Sequence, residues 1–213
     1  MLQQTDEEID RIAEYADSSV RVLHRQGSLV GVPGAYGLKR SLYARWGNSG
    51  NALYTALGSL LAISVSAGAA WATGEPLVFP SLGATAFLIF ETPTAEVGTP
   101  RNTVIGHAVG VAAAAAALAA FGLYGDPSAF EGGVDAARAG AIAVSVALTG
   151  GILRLLRSAH PPAGATTIIV ASGLLDTAGQ MLALGIGVLL LTVAGWALNR
   201  AMGVPAPVWA ALR

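Results

Sequence analysis

The 213-residue sequence contains no cysteine, which excludes disulfide bonds, thiolate nucleophiles, cysteine-ligated zinc and iron–sulfur clusters. Charged residues are also scarce: they make up 12% of the chain, about half of what a soluble domain carries. A net charge of −1 provides no basic surface for nucleic acid. Because 54% of the residues are hydrophobic and the mean hydropathy is +0.59, we expect an integral membrane protein.

The charged residues are concentrated near the N-terminus, where residues 1–45 hold 12 of the 25. The first residues are acidic and lack an apolar core, so they do not resemble a signal or transit peptide. Thr5 and Glu8 form a capping-box pattern, and apolar residues recur at helical spacing from Ile9 to Leu23. Residues 1–45 are therefore predicted to form a cytosolic amphipathic helix and a turn-rich linker. This helix is expected to lie on the rest of the protein or on the membrane surface, with docking of a partner as the alternative.

Four apolar segments are long enough to cross the roughly 30 Å of bilayer hydrocarbon as helices. They are predicted over residues 52–73, 102–124, 138–156 and 179–199. In the third segment, Arg138 is expected to extend its side chain outward to the membrane surface. Two further apolar segments, 77–90 and 160–175, are too short and too rich in Pro and Gly to span as ordinary helices.

The two short segments contain similar hexamers that lie 81 residues apart in the sequence. They read Pro80-Ser81-Leu82-Gly83-Ala84-Thr85 and Pro161-Pro162-Ala163-Gly164-Ala165-Thr166, identical at four of six positions. The same offset carries the first long segment onto the third and the second onto the fourth. An internal duplication is therefore predicted, with membrane repeats over residues 46–125 and 126–213.

The placement of Arg and Lys favours one topology for these repeats. If the short segments return to their own side, the four remaining crossings put the acidic loop 126–135 inside and Arg154 and Arg157 outside. If each short segment crosses as an extended stretch and a half-helix, the six crossings put these arginines inside. The predicted fold is thus an all-α membrane protein with two inverted-topology repeats, each of two full transmembrane helices and one half-helix. Both termini are expected in the cytoplasm of a prokaryotic inner membrane.

In that topology the two half-helices start near the membrane midplane, with their N-termini facing each other. Unpaired N–H groups and the helix dipole favour an anion there, and Gly83 and Gly164 are expected to permit its close approach. Each terminus contributes about 0.3 to 2 kcal/mol, less than the roughly 3 kcal/mol cost of a charge at the bilayer centre. Hydroxyl groups and a protonated His160 would have to supply the rest.

The candidate substrate-binding residues come from the two hexamers and the start of the second long segment. They are Ser81, Leu82, Gly83, Ala84, Thr85, Arg101, Asn102, His107, His160, Ala163, Gly164, Ala165, Thr166 and Thr167. The alternative interpretation is that water fills the gap between the half-helices, while the small residues and threonines serve helix packing.

The stretch His160-Pro161-Pro162, followed by Ala-Gly-Ala-Thr-Thr, resembles the signature of the HPP family of integral membrane proteins. The hexamer at 80–85, Pro100-Arg101-Asn102 and Gly106-His107 are similar to other stretches of that family, and the resemblance covers residues from about 45 to 200. The family is usually described as having four transmembrane segments, and plant members are associated with nitrite transport into chloroplasts. The resemblance implies nitrite or a similar small anion as the substrate.

The predicted function is therefore that of a permease for a small inorganic anion, with nitrite as the first candidate. The sequence leaves open whether it is a channel or a proton-coupled carrier. A non-transporting membrane sensor or binding protein is the alternative, and an enzyme is not expected because common catalytic motifs such as His-Glu-x-x-His are missing. The expected partners are the anion and the lipid bilayer, with no cofactor and no metal; an oligomer of identical chains is compatible with the sequence.

Overall fold

A computed structural model describes residues 37–211, and within this range the chain forms α-helices, one 3-10 turn and no strand. The helices are α1 (Gly37–Trp46), α2 (Asn48–Thr73), α3 (Pro80–Glu91), α4 (Pro100–Ala120), α5 (Ala136–Leu155), α6 (Pro162–Ala171) and α7 (Ala178–Ala201), and the 3-10 turn is Glu96–Gly98. The amphipathic helix predicted over residues 5–25 lies outside the described residues.

Helices α2, α4, α5 and α7 are long and apolar enough to cross a membrane, which confirms the four predicted spans. Helices α3 and α6, with 12 and 10 residues, are too short to cross alone. Both begin with proline, whose fixed φ suits a first helical turn and whose missing N–H is not needed there. The order long, short, long therefore occurs twice along the chain.

Helix α1 lies in the segment that the sequence analysis assigned to a turn-rich linker. The Leu38 N–H donates to the Met202 carbonyl at 2.9 Å, and α1 packs against α2. Gly37 has a φ of 44°, and the backbone of Met202 and Gly203 occupies the place where a side chain would begin. These contacts with distant residues stabilise a helix that local turn signals do not indicate.

One end of the bundle holds the starts of α2 and α4 and the ends of α3, α5 and α7; we name it the basic end. The Tyr54 hydroxyl, near the start of α2, donates to Asn199 Oδ1, near the end of α7, at 2.6 Å. Asn199 Nδ2 donates in turn to the Ile89 carbonyl, near the end of α3. The Arg101 N–H, at the start of α4, donates to the Trp209 carbonyl beyond α7.

The opposite end of the bundle holds the start of α5 and the end of α6, which are joined by Arg138. This side chain is only 3% exposed, and it donates to the carbonyls of Pro127 at 2.9 Å and Ala171 at 3.4 Å. The prediction that Arg138 extends outward is therefore wrong. The last carbonyls of α6 form the negative end of its dipole, which favours a cation inside the bundle.

Each half-helix packs between helices of both repeats. Helix α2 contacts α3 and α7, while α5 contacts α6 and α4, so the first helix of each repeat contacts its own half-helix and the last helix of the other repeat. Glycines permit the close approach of the segments that lead into the two half-helices. A Cβ at Gly106 of α4 would lie 2.7 Å from the His160 side chain, and a Cβ at Gly187 of α7 would overlap the Leu77 carbonyl.

Candidate functional site

His107 of α4 lies between the two half-helices and contacts both. Its Nδ1 is 2.6 Å from Thr166 Oγ1 of α6, and its Nε2 is 2.9 Å from Thr85 Oγ1 of α3. Thr85 and Thr166 are the equivalent final residues of the two similar hexamers. One imidazole therefore bridges matching hydroxyl groups from the two repeats, and it is only 2% exposed.

His160, just before α6, stands beside this bridge. Its Nε2 is 3.3 Å from His107 Nε2 and 3.3 Å from Thr85 Oγ1, and its Nδ1 is 2.9 Å from the Val97 carbonyl. The two rings meet edge to face, with centroids 5.0 Å apart. We name His107, His160, Thr85 and Thr166 the histidine cluster; the sequence analysis selected all four residues, but not their mutual contacts.

The partners of the two histidines determine which ring nitrogens carry protons when both rings are neutral. A carbonyl oxygen can only accept, so His160 Nδ1 must donate to Val97, and His160 Nε2 is left without a proton. Because the Thr85 hydroxyl donates to the Ser81 carbonyl, His107 Nε2 carries a proton and donates it to Thr85 Oγ1 at 2.9 Å, with the bare His160 Nε2 next to it at 3.3 Å. His107 Nδ1 accepts the Thr166 hydroxyl proton. The two neutral rings are therefore opposite tautomers, and every ring nitrogen has a partner.

Two buried hydroxyl groups beside the histidine cluster have no hydrogen-bond partner among residues 37–211: Ser81 Oγ and Thr103 Oγ1. Ser81 lies one helical turn before Thr85, whose own hydroxyl donates to the Ser81 carbonyl at 2.9 Å. Thr103 lies one turn before His107. Because an unsatisfied buried hydroxyl costs about 1 to 3 kcal/mol, a ligand that accepts hydrogen bonds from these groups is favoured here.

The N–H groups at the start of α6 are not free, in contrast to the prediction for an anion site made of helix N-termini. Ala163 N–H donates to the His160 carbonyl and Gly164 N–H to the Pro161 carbonyl, each at 3.0 Å. Pro161 and Pro162 have no N–H at all. The tight turn satisfies these donors, so side chains rather than this backbone would have to recognise an anion.

Other predicted residues lie away from the histidine cluster. Gly83 and Ala84 are exposed, and no atom lies within 4 Å of where a side chain at Gly83 or Gly164 would begin, so no other part of the described chain approaches these glycines closely. Thr167 faces α5, where its hydroxyl lies 2.9 Å from Thr149 Oγ1. The remaining hexamer positions pack as core or half-buried residues: Leu82, Ala163 and Ala165.

A cavity of about 430 Å³ opens at the basic end and leads toward the histidine cluster; we name it the vestibule. Its lining residues are Glu96, Val97, Asn102, Leu153, Arg154, Arg157 and Ala159. Val97 provides the carbonyl that binds His160 Nδ1, and Ala159 directly precedes His160 in the chain. The vestibule therefore ends at the residues that hold His160.

Arg101 and Asn102 position the loop after α5. The Arg101 guanidinium donates to the carbonyls of Leu156 and Arg157 and to Asn102 Oδ1, each at 3.1 Å. Asn102 Nδ2 donates to the Ala159 carbonyl at 3.2 Å. Asn102 lines the vestibule but Arg101 does not, so the predicted anion-binding role of Arg101 becomes one of fixing the vestibule wall.

Arg154 and Arg157 were missed as site residues, since the sequence analysis used them only for orientation. Arg157 has a φ of 50°, which is rare for a residue with a side chain. It follows the end of α5 in a Schellman motif, with Ser158 N–H donating to Leu153 O and Arg157 N–H to Arg154 O.

Helices α4, α6 and α7 end with the same two backbone hydrogen bonds, and there the left-handed position is glycine: Gly122, Gly173 and Gly203. At the end of α5 the corresponding residue is Arg157. An arginine where the other three helices have glycine is the sequence signal that could have indicated the vestibule. Arg157 therefore carries a side chain in a backbone conformation that favours glycine.

Lys39 on α1 caps the C-terminal end of the half-helix α3. Its Nζ donates to the carbonyls of Phe90 and Glu91 at the end of α3, each at 2.7 Å. Phe90 is the repeat equivalent of Ala171, which Arg138 caps. Burial lowers the pKa of Lys39, an effect that the nearby Glu91 carboxylate partly offsets.

A family model described as "HPP, transmembrane region" matches residues 45–207, which is well over half of the chain. The matched region includes the histidine cluster and the whole vestibule. No curated protein and no solved structure matches the chain.

Proposed function

Because the chain belongs to the HPP family of integral membrane proteins, we propose that it is a permease for a small inorganic anion, with nitrite as the first candidate. One observation carries the proposal: an arginine-lined vestibule reaches Val97, whose carbonyl holds His160, and His160 belongs to a buried cluster of imidazoles and hydroxyls between two half-helices. A polar cluster in the middle of a membrane bundle is costly, and such clusters commonly mark substrate or ion pathways.

We propose that the two repeats have inverted topology and that the chain crosses six times. Helix α2 starts at the basic end whereas its repeat equivalent α5 ends there, and α3 ends there whereas α6 ends at the opposite end. The positive-inside rule puts the basic end in the cytoplasm, because Lys39, Arg101, Arg154 and Arg157 lie there. The acidic loop 126–135 then lies outside, and both ends of the membrane region lie inside.

Arg154 and Arg157 would concentrate anions in the vestibule. The lining contains these two cations and one carboxylate, Glu96, so its net charge favours anions. Beyond Val97, Ser81 Oγ and Thr103 Oγ1 are buried hydroxyls with no partner in the described part of the chain. Each bond that such a hydroxyl donates to a charged acceptor contributes about 1.5 to 3 kcal/mol, so two or three of them offset the cost of desolvating a singly charged anion at this depth.

The test is uptake of nitrite into liposomes that contain the purified full-length protein, with protein-free liposomes subtracted because nitrous acid crosses lipid unaided. Nitrate and chloride serve as comparison anions. The double variant Thr85→Val/Thr166→Val removes both hydroxyls that contact His107 while keeping side-chain shape, and uptake should fall about 30-fold or more, because two bonds worth about 1 to 3 kcal/mol each are lost.

The matched control is Thr192→Val, because Thr192 is also a buried membrane threonine but donates only to the Val188 carbonyl of its own helix. This variant should transport like the unmodified protein. Equal uptake by the double variant and the control would contradict a substrate pathway through the histidine cluster. Lack of anion uptake by the unmodified protein would contradict the permease itself.

A further inference from the structure

We infer that the histidine cluster takes up one proton with each anion, so that the protein moves the anion together with a proton. This inference rests on the proposed function, because it names the coupling mechanism of the same site. It distinguishes a proton-coupled carrier from a channel, which the sequence alone leaves open.

The neutral cluster contains a continuous chain of hydrogen bonds that can pass a proton. Thr166 donates to His107 Nδ1, His107 Nε2 donates toward His160 Nε2 across 3.3 Å, and His160 Nδ1 donates to the Val97 carbonyl. His160 Nε2 is the unprotonated nitrogen at the end of this chain, and it can receive the proton that His107 Nε2 holds. At the other end of the chain, the Thr166 oxygen can accept a proton while giving up its own.

Proton uptake can therefore occur by a shift of protons along this chain. An undissociated acid at Thr166 gives its proton to Oγ1, Thr166 gives its former proton to His107 Nδ1, and His107 gives its Nε2 proton to His160 Nε2. The products are the anion, a Thr166 hydroxyl that now donates to the anion, a neutral His107 and a positively charged His160. The two rings held two protons before the shift and hold three after it, and the anion balances the added charge.

The surroundings provide no fixed counterion for that charge. Within residues 37–211, the hydrogen-bond partners of the two rings are the Thr85 and Thr166 hydroxyls, the Val97 carbonyl and the other ring, so none of these partners is a carboxylate. The charged groups nearest along the vestibule are Glu96, Arg154 and Arg157, while Arg101 is bonded to backbone carbonyls. A buried charge without a partner is strongly disfavoured, so the anion favours protonation of His160, and by linkage the added proton strengthens binding of the anion to the same extent.

The two rings cannot both be charged. With protons on both Nε2 atoms, two N–H groups would point at each other across 3.3 Å, in addition to the repulsion between like charges. The cluster is therefore limited to one added proton, which sets the stoichiometry at one proton per anion.

The experiment measures anion uptake and internal acidification in the same liposomes. They contain the full-length protein and a trapped pH indicator, the membrane potential is fixed with potassium and valinomycin, and nitrite is the added anion. After protein-free liposomes are subtracted, we expect one proton to enter per nitrite, and the uptake rate to be insensitive to the imposed potential.

His160→Gln keeps a donor for Val97 but cannot hold the extra proton, so its uptake should fall about tenfold and lose the acidification. His24→Gln, which alters the remaining histidine of the chain, is the matched control and should behave like the unmodified protein.

Potential-driven nitrite uptake without acidification would overturn the coupling and leave the permease proposal intact. No uptake by the unmodified protein would overturn both. If His160→Gln does not fold, histidine ¹⁵N NMR of the unmodified protein decides the question. We expect opposite neutral tautomers, with the proton on Nδ1 of His160 and on Nε2 of His107, and one added proton on His160 when nitrite is present. A bare Nδ1 on His160, or no change on adding nitrite, would contradict the inference.

Discussion

Replacing Arg157 by glycine removes one positive charge from the vestibule but permits the same left-handed backbone conformation. The variant therefore tests the effect of the charge separately from that of the conformation. The left-handed conformation costs a residue with a side chain about 1 to 2 kcal/mol. Glycine at the same position costs about 0.4 to 1 kcal/mol through the greater freedom of the unfolded chain. The hydrogen bonds that Arg157 makes at the end of α5 use its backbone N–H and carbonyl, which Arg157→Gly retains. The free energy of unfolding should therefore stay the same or rise, by no more than about 1.6 kcal/mol.

The same variant removes one positive charge from the vestibule. For an anion about 6 Å from the guanidinium, Coulomb's law gives about 0.7 kcal/mol in bulk water and about 2.8 kcal/mol at an effective dielectric constant of 20. Anion uptake at low substrate concentration should therefore fall by a factor between roughly 3 and 100. The loss should be greatest at low ionic strength, because salt screens the attraction in the open vestibule.

Thermal unfolding in detergent and initial nitrite uptake into liposomes at two ionic strengths would measure both effects. Arg157→Lys keeps the charge and should retain most of the uptake. Gly122→Arg places an arginine in the same conformation at the end of α4, where no atom obstructs a side chain. It should lower stability without lowering uptake. If Arg157→Gly lowers the unfolding temperature, or keeps full uptake, the assignment of Arg157 to anion attraction is refuted.

Three further tests concern the bundle and the site. Thr166→Val removes the hydroxyl proton that His107 Nδ1 accepts and should lower uptake about tenfold in a liposome assay, while Thr192→Val should not. Arg138→Met leaves two carbonyls without their charged donor and should lower the unfolding free energy by about 2 to 4 kcal/mol, measured by thermal unfolding, with little direct effect on anion selectivity. Single cysteines at positions 45 and 131, introduced into a chain that has none, should react with an impermeant reagent from opposite sides of the membrane; labelling from the same side would refute the inverted topology.

The four membrane spans could be predicted because length and apolarity are local properties of the sequence, and the predicted limits differ from the observed ones by four residues or fewer. The half-helices could be predicted as well, since proline marks their first turns. Which residues touch was not predictable, because contacts between distant residues depend on packing. Gly106 decides how closely His160 approaches α4, while the suspected Gly83 faces outward.

The contacts of two charged residues, Arg138 and Arg101, could not be predicted from the sequence for a common physical reason. Hydropathy gives the cost of placing Arg138 in lipid. It does not give the position of the carbonyls that accept hydrogen bonds from its guanidinium inside the bundle. In the same way, the sequence shows Arg101 next to a membrane helix but not its bonds to the carbonyls of the loop after α5. The residues that line the vestibule in its place, Arg154 and Arg157, are recognisable only once the end of α5 is seen.

His107 bridges two hydroxyl groups at equivalent positions of the two repeats, Thr85 and Thr166. The histidines themselves have no such equivalents. At the positions equivalent to His107 and His160, the other repeat has Val188 and Phe79, both buried. A dimer of two identical chains, each with one repeat, would carry both histidines in each chain and therefore on both sides of its two-fold axis. Under the proposed duplication, a single chain frees the two repeats from that constraint, so each repeat can carry different residues at equivalent positions. For the proposed carrier, unequal repeats would give the states open to the two sides of the membrane different energies, so the empty protein would favour one side while the ion gradients alone set the direction of net flow.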